Sequence, residues 1–165
     1  MSNIKYSLAS CPSCLSPERY VKSQKKDSPR VALMYIYPSK ELLPVILPVI
    51  INAGSMHVAL IYFFSPKCED CLGVISFIQE TAGNHPFVYV VKRNIHEKET
   101  QELRDRLNIA YKVPENERMV IPSVFLGSAI IGKNEIKKNL KKELHEVERL
   151  KKYVIGEDSV AITQD

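Results

Sequence analysis

The sequence predicts one α/β domain with a central mixed sheet of about four to five strands flanked by helices. Two observations support this fold class. Continuous apolar runs of strand length occupy residues 31–37 and 57–64, and segments with helical spacing of apolar residues follow further along the chain. In addition, 165 residues that are 45% hydrophobic and 25% charged can bury one substantial core but are few for two full domains.

The first half of the chain predicts two core strands. Residues 31–37 and 57–64 are rich in branched and aromatic side chains, and the uninterrupted run at 57–64 is typical of a parallel strand covered on both faces. Residues 39–42 are able to open a helix, which Pro44 and Pro48 would keep short or kinked. After Cys68, apolar residues recur at helical spacing until Gly83, namely Leu72, Ile75, Ile78 and Ala82.

The second half continues the alternation of strands and helices. Residues 87–91 predict a short buried strand, and 97–110 a polar helix with Leu103 and Leu107 on its inner face. Residues 120–126 and 128–131 predict a hairpin around Gly127. A long amphipathic helix should begin near Asn134, a candidate N-cap. The predicted order is β-α-β-α-β-α-β-β-α, with largely parallel strands and a hairpin at one edge.

The two ends of the chain differ from the middle in composition. Residues 1–30 are serine-rich without apolar periodicity, which predicts a flexible arm, a folded domain at 31–154 and a tail at 155–165. Residues 1–7 lack the apolar core of a secretory signal, so the chain as written is expected in the cytoplasm. If a signal or anchor has been removed, the expected location is extracytoplasmic.

Charge and histidine placement argue against two classes of function. The net charge of +4 is spread along the chain, without the basic stripe and interleaved aromatics that nucleic-acid binding favours. The four histidines, His57, His85, His96 and His145, show no ligand spacing. The sequence therefore predicts no nucleic-acid partner, no metal site and no cofactor.

Cys68 and Cys71 form a Cys-x-x-Cys motif at the predicted start of a helix. Helix N–H groups and the helix dipole stabilise a thiolate there, which should lower the pKa of Cys68 below the free value of roughly 8.5. Cys71 lies one turn further on, close enough to attack a mixed disulfide formed at Cys68. The motif therefore predicts a nucleophile and a resolving thiol that exchange disulfides with a protein substrate.

Zinc binding is the alternative use of this motif. Two thiolates with this spacing are half of a zinc site, and Cys11 and Cys14 would supply the other half. An apolar strand before Cys68 and a packed helix after it favour redox chemistry over a zinc knuckle. Cys11 and Cys14 are open to three interpretations: a second redox pair, half of an intermolecular metal site, or thiols of no consequence.

Ile121 and Pro122 mark a second position of interest. Proline within a strand-like segment is disfavoured unless the backbone is special there, and a cis peptide bond is one such option. The sequence therefore predicts an unusual loop about fifty residues after the cysteines.

These segments resemble the thioredoxin and glutaredoxin superfamily. The resemblance lies in residues 63–71 (Phe-Phe-Ser-Pro-Lys-Cys-Glu-Asp-Cys), 120–127 (Val-Ile-Pro-Ser-Val-Phe-Leu-Gly) and 132–136 (Gly-Lys-Asn-Glu-Ile), and it covers roughly 31–154. It implies a thioredoxin-like fold, a cis Pro122 against the cysteines, and pairing of the backbone around Ile121 with a substrate strand. Residues 111–118 are similar to thioredoxin-like domains that accompany prokaryotic membrane disulfide carriers. The expected partner that supplies electrons is an unidentified reductase or a membrane electron carrier, with glutathione as a further open alternative.

The chain also departs from that family. Thioredoxin has tryptophan before the first cysteine and Gly-Pro inside the pair, whereas this chain has no tryptophan, Lys67 before Cys68, and Glu69 and Asp70 inside. Tyr62 stands where thioredoxin has a buried aspartate, so Glu69, Asp70 or water would have to accept the proton. Lys67 favours the thiolate and the two acids oppose it, which predicts a redox potential tuned by all three and nearer a reductant's. Alternatively, the acids are ordinary first-turn residues.

Overall fold

The described residues form a seven-stranded mixed sheet. The computed structural model describes residues 30–37, 43–52, 55–155 and 163–164. The strands are β1 (Val31–Ile36), β2 (Val45–Asn52), β3 (Ser55–Phe64), β4 (Val88–Asn94), β5 (Ser123–Phe125), β6 (Ala129–Ile131) and β7 (Thr163–Gln164). Within the described residues the helices are α1 (Glu69–Gly83), α2 (Lys98–Ala110) and α3 (Lys133–Ile155), with a 3-10 turn at Glu115–Glu117. The chain is therefore a mixed α/β protein.

Strand β3 is the hub of the sheet. It pairs in parallel with β4 from Val58 to Phe64, antiparallel with β2 near its own start, and antiparallel with β5 from Ile61 to Phe63. Because residues 61–63 pair with both β4 and β5, these two strands lie on opposite edges of β3. The order along the rest of the sheet is β6-β5-β3-β2-β1-β7.

The side chains of β3 alternate between two hydrophobic cores. Val58, Leu60 and Tyr62 enter one core, which α1 and α3 cover, while Ala59, Ile61 and Phe63 enter the other, which α2 covers. This burial on both faces confirms the prediction drawn from the uninterrupted apolar run, since such a strand has no solvent-facing side. The strand ends at Phe64, and the cysteine motif follows directly.

The helix predicted after residue 39 is wrong within the described part of that segment, where β2 stands instead. β2 pairs antiparallel with β1, so β1, β2 and β3 form a meander and the strands are not largely parallel. Valine and isoleucine dominate β2, and their branched side chains favour a strand. Pro48 pairs with Leu33 of β1, whereas β2 pairs with β3 only from Val49 onward. Because Pro48 has no partner on β3, its missing N–H removes no hydrogen bond between β2 and β3.

Smaller differences concern single residues. Leu72 was predicted on the inner face of α1 but is 58% exposed, because the buried stripe runs through Cys71, Val74 and Ile78. Helix α3 begins at Lys133, which places Asn134 inside the first turn and not at the cap. The predicted hairpin of β5 and β6 is confirmed.

The chain ends are described only in part. Within the predicted tail, Thr163 and Gln164 pair with β1. The predicted arm lies outside the described residues apart from Arg30, and so do Cys11 and Cys14. In the portion of the chain that is described, no helix has both the length and the apolar character needed to cross a bilayer.

Candidate functional site

The cysteine motif lies at the carboxyl end of β3, on a turn that is held from two sides. The Cys68 N–H donates to the Ser65 carbonyl at 3.0 Å, which closes the turn. The loop after β4 holds the same turn, since the Ile95 N–H donates to the Phe64 carbonyl at 3.0 Å and His96 Nε2 lies 2.9 Å from Ser65 Oγ. Ser65 itself is buried. The chain therefore enters α1 from a fixed position.

Cys68 and Cys71 form a disulfide whose Cα atoms are 5.2 Å apart. Cys68 is half-buried at the N-cap of α1, and Cys71 is buried beneath it with 1% exposure. The Cys71 N–H, a helix donor without an intrahelical partner, points to Cys68 Sγ at 3.1 Å. In the reduced pair this donor and the helix dipole favour a thiolate at Cys68. Exposure and electrostatics both favour Cys68 as the attacking sulfur.

The segment Ile121–Pro122 lies beside the end of β3. β5 begins at Ser123, which pairs antiparallel with Phe63, so the two preceding residues run alongside the turn that leads to Cys68. The Ile121–Pro122 peptide bond is cis, which is the geometry that the resemblance implied. Pro122 is buried, and its carbonyl accepts a hydrogen bond from the Gly132 N–H at 2.8 Å. Sequence positions far apart are thus brought to one edge of the sheet.

The three predicted tuning residues, Lys67, Glu69 and Asp70, are all exposed around the pair. Asp70 forms an ion pair with Lys133, the first residue of α3, at 3.3 Å. This contact offsets part of the negative charge beside Cys68, although solvent screens a pair whose side chains are 66% and 37% exposed. Sequence reasoning did not single out Lys133, since only the fold brings the starts of α1 and α3 together.

Tyr62 anchors the first turn of α1 to β3. Its side chain is buried, and its hydroxyl donates to the Cys71 carbonyl at 2.7 Å. Burial raises the pKa of Tyr62 from 10.0 to about 12. The phenol is therefore a hydrogen-bond donor and not a proton acceptor at neutral pH. The signal in the sequence was a tyrosine inside an otherwise apolar strand.

Metal-ligand geometry is missing from the described residues. None of them form a group of three or more histidine, cysteine, aspartate or glutamate side chains able to hold a metal ion. His96 contacts Ser65, and His85 lies 3.5 Å from Glu148. The zinc hypothesis that joins both cysteine pairs involves Cys11 and Cys14, which lie outside the described residues.

Comparisons with protein-family models, with curated proteins and with solved structures find no match for this chain.

Removal of the Tyr62 hydroxyl tests the anchor. Tyr62→Phe keeps the ring but loses the bond to the Cys71 carbonyl, so the free energy of unfolding should fall by about 1 kcal/mol at pH 7. The folded-state pKa of Tyr62 lies above the unfolded value, so wild-type stability should drop as pH rises from 10.0 to about 12. Tyr62→Phe should lose this part of the drop. Urea unfolding at both ends of that range measures it.

The control for this experiment is Tyr37→Phe, at a tyrosine that is 43% exposed. It should unfold with the wild-type pH dependence. If the free energy of unfolding of Tyr62→Phe and of the wild type declines equally above pH 10.0, the phenol is not held neutral by burial. The anchoring role of Tyr62 is then wrong.

Charge changes at the Asp70 and Lys133 pair test its influence on Cys68. Lys133→Met leaves Asp70 uncompensated, so iodoacetamide should alkylate reduced Cys68 roughly two- to threefold more slowly at pH 7, as exposed ion pairs are worth roughly 0.2–1 kcal/mol. Asp70→Asn should speed alkylation by a similar factor. The double variant should fall near the wild-type rate. Shifts of the same sign in the two single variants contradict this account.

Proposed function

We propose that this chain is a thiol–disulfide oxidoreductase with a thioredoxin-like fold that acts on protein disulfides through Cys68 and Cys71. One observation carries the proposal: a disulfide at the N-terminus of α1, with Cys68 half-buried at the cap and Cys71 buried behind it. A purely structural disulfide needs no such asymmetry. An exchange reaction needs it, because one sulfur must be accessible to the substrate while the other is buried behind it.

The reaction balances as two thiolate displacements. The Cys68 thiolate attacks a substrate disulfide, a new sulfur–sulfur bond forms, and the displaced substrate thiolate takes a proton from water. The Cys71 thiolate then attacks Cys68 Sγ, which forms the intramolecular disulfide and releases the second substrate thiolate. The substrate gains two electrons and the pair loses them. A reductase or a membrane electron carrier of two-electron capacity would return the pair to the dithiol.

The order of elements around the site supports the fold assignment. β3, α1 and β4 form a parallel unit, and the β5–β6 hairpin then pairs antiparallel with β3 before α3 begins. This order is what the resemblance implies for the second part of a thioredoxin-like domain. The β1–β2 hairpin is a departure, since β2 joins β3 on the edge that β5 also uses.

The surroundings of the pair suit a protein substrate. Met119 and Val120, which directly precede Ile121, are 77% and 40% exposed, and Leu72, which follows Cys71, is 58% exposed. Apolar side chains exposed beside a reactive sulfur favour contact with another protein surface. Ile121 and Pro122 would supply the backbone against which a substrate strand lies.

Dithiothreitol-dependent reduction of insulin tests the proposal. The wild type should accelerate turnover over dithiothreitol alone, Cys68→Ser should abolish the acceleration, and Cys71→Ser should reduce it by at least about tenfold because resolution is lost. A variant with Cys11→Ser and Cys14→Ser is the matched control and should keep the wild-type rate. Acceleration that survives in Cys68→Ser, or that disappears only in the control, would overturn the proposal.

Two competing functions give other outcomes. A redox-inactive binding module would show no turnover, and its Cys68 would titrate as a free thiol when the reduced protein is alkylated across a pH series. A zinc-holding protein that uses both cysteine pairs would purify with stoichiometric zinc. The same purified material serves for both measurements.

A further inference from the structure

Helix α2 carries a buried polar stripe beside its apolar contact with the core through Leu107. Thr100, Arg104 and Asn108 recur every four residues on its inner face, with exposures of 1%, 5% and 3%. Arginine is almost never fully buried unless it is paired. The stripe faces the stretch that leads into Ile121, as its hydrogen bonds to Arg118 and Val120 show.

The buried guanidinium of Arg104 forms a hydrogen bond with one backbone carbonyl. Its Nη2 donates to the Val120 carbonyl oxygen at 3.4 Å. Among the described residues, no carboxylate lies within ion-pair distance of its guanidinium. Burial lowers the pKa of Arg104 below the usual value of arginine, and the group stays cationic at neutral pH. A buried cation that holds a neutral carbonyl is costly, which points to a requirement for that carbonyl's orientation.

Neighbouring polar contacts hold the same stretch of chain. Asn108 Nδ2 donates to the Arg118 carbonyl at 3.3 Å, and Arg118 Nε donates to the Val113 carbonyl at 2.9 Å. The Val120 N–H donates to the Glu117 carbonyl at 3.1 Å. The carbonyls of Arg118 and Val120 are thus turned towards α2.

The geometry of the peptide group also fixes the direction of the Ile121 N–H. The Val120–Ile121 bond is trans, so its carbonyl and the Ile121 N–H point in opposite directions. Because Arg104 draws the carbonyl towards α2, the N–H points away from α2. Within the described ranges this N–H has no backbone acceptor. A free donor is therefore presented beside the turn that carries Cys68.

We propose that Arg104 is a positioning residue, which holds the Val120 carbonyl so that the Ile121 N–H can pair with the backbone of an extended, cystine-containing peptide segment. This inference rests on the proposed oxidoreductase function and on the pairing of the Ile121 backbone with a substrate strand that the resemblance implies, and it adds the residue that orients that backbone. A disulfide set in extended polypeptide depends on this orientation, whereas a small disulfide that lacks peptide groups does not. Arg104 touches no reacting atom and acts through Val120.

Two disulfides separate positioning from general damage. One is an oxidised peptide with several residues on each side of its cystine, and the other is hydroxyethyl disulfide, which has no peptide backbone. Arg104→Met should raise KM for the peptide about tenfold, as expected for one lost charged hydrogen bond, with kcat within about twofold. The KM for hydroxyethyl disulfide should not change. Equal effects on the two disulfides, or none on either, would overturn the inference.

Two further variants control for folding. Thr100→Val alters the same buried stripe at a hydroxyl without a hydrogen-bond partner, and it should leave both KM values at the wild-type level. Arg104→Lys keeps a cation but loses the planar fork, so it should raise KM for the peptide by less than Arg104→Met. If Arg104→Met does not fold, a wild-type KM in Arg104→Lys overturns the inference.

An NMR measurement distinguishes a failure of this inference from a failure of the proposed function. If the wild type reduces neither disulfide, the oxidoreductase proposal fails, and the orientation is then decided by NMR. Arg104→Met should shift the Val120 carbonyl carbon and the Ile121 nitrogen while the Leu72 amide keeps its position. Unchanged Val120 and Ile121 resonances would overturn the positioning role.

Discussion

Burial of β3 on both faces is the constraint on which the remaining structure depends. A strand that enters two cores has no solvent-facing side, so α1 and α3 must cover one face and α2 the other. Its edges are filled in turn, by β4 along one and by β2 and β5 along the other. The carboxyl end of β3 is thereby packed on both faces and paired along both edges. The cysteine turn, the start of α1 and the start of β5 meet there because β3 organises all of them.

Polar groups then fix the details that packing leaves open. The Tyr62 hydroxyl joins β3 to the Cys71 carbonyl, and the loop after β4 holds Ser65 and Phe64. Arg104 and Asn108 hold carbonyls on the opposite side of the site. In a low-dielectric interior such bonds are costly to break, so they define orientation more sharply than apolar contacts do. The Cys68–Cys71 pair and the backbone beside it are thereby held by separate elements of one sheet.

Local sequence patterns predicted the parts of the structure that depend on local physics. The apolar run of β3, the helix that begins after Cys68 and the hairpin around Gly127 all follow from periodicity and turn chemistry. β2 was missed because residues 39–42 favour the start of a helix that Pro44 and Pro48 would shorten. Whether a strand tolerates Pro48 depends on where β3 stops pairing with it.

Contacts between distant parts of the chain were beyond local reasoning. The Asp70–Lys133 pair and the Arg104 bond to Val120 join residues on different elements, and no spacing along the chain encodes them. The same holds for the Tyr62 bond to Cys71, although a tyrosine within an apolar strand was a visible hint. The motif residues themselves could be named from sequence, but the groups that orient them needed the fold.

Trapping of the mixed disulfide tests the central claim most directly. Cys71→Ser lacks the resolving thiol, so a reaction with an oxidised protein substrate should stop at a covalent intermediate that mass spectrometry can locate. We expect one adduct of substrate mass on Cys68. An adduct confined to Cys11 or Cys14, or no adduct under conditions that oxidise the wild-type dithiol, would contradict it.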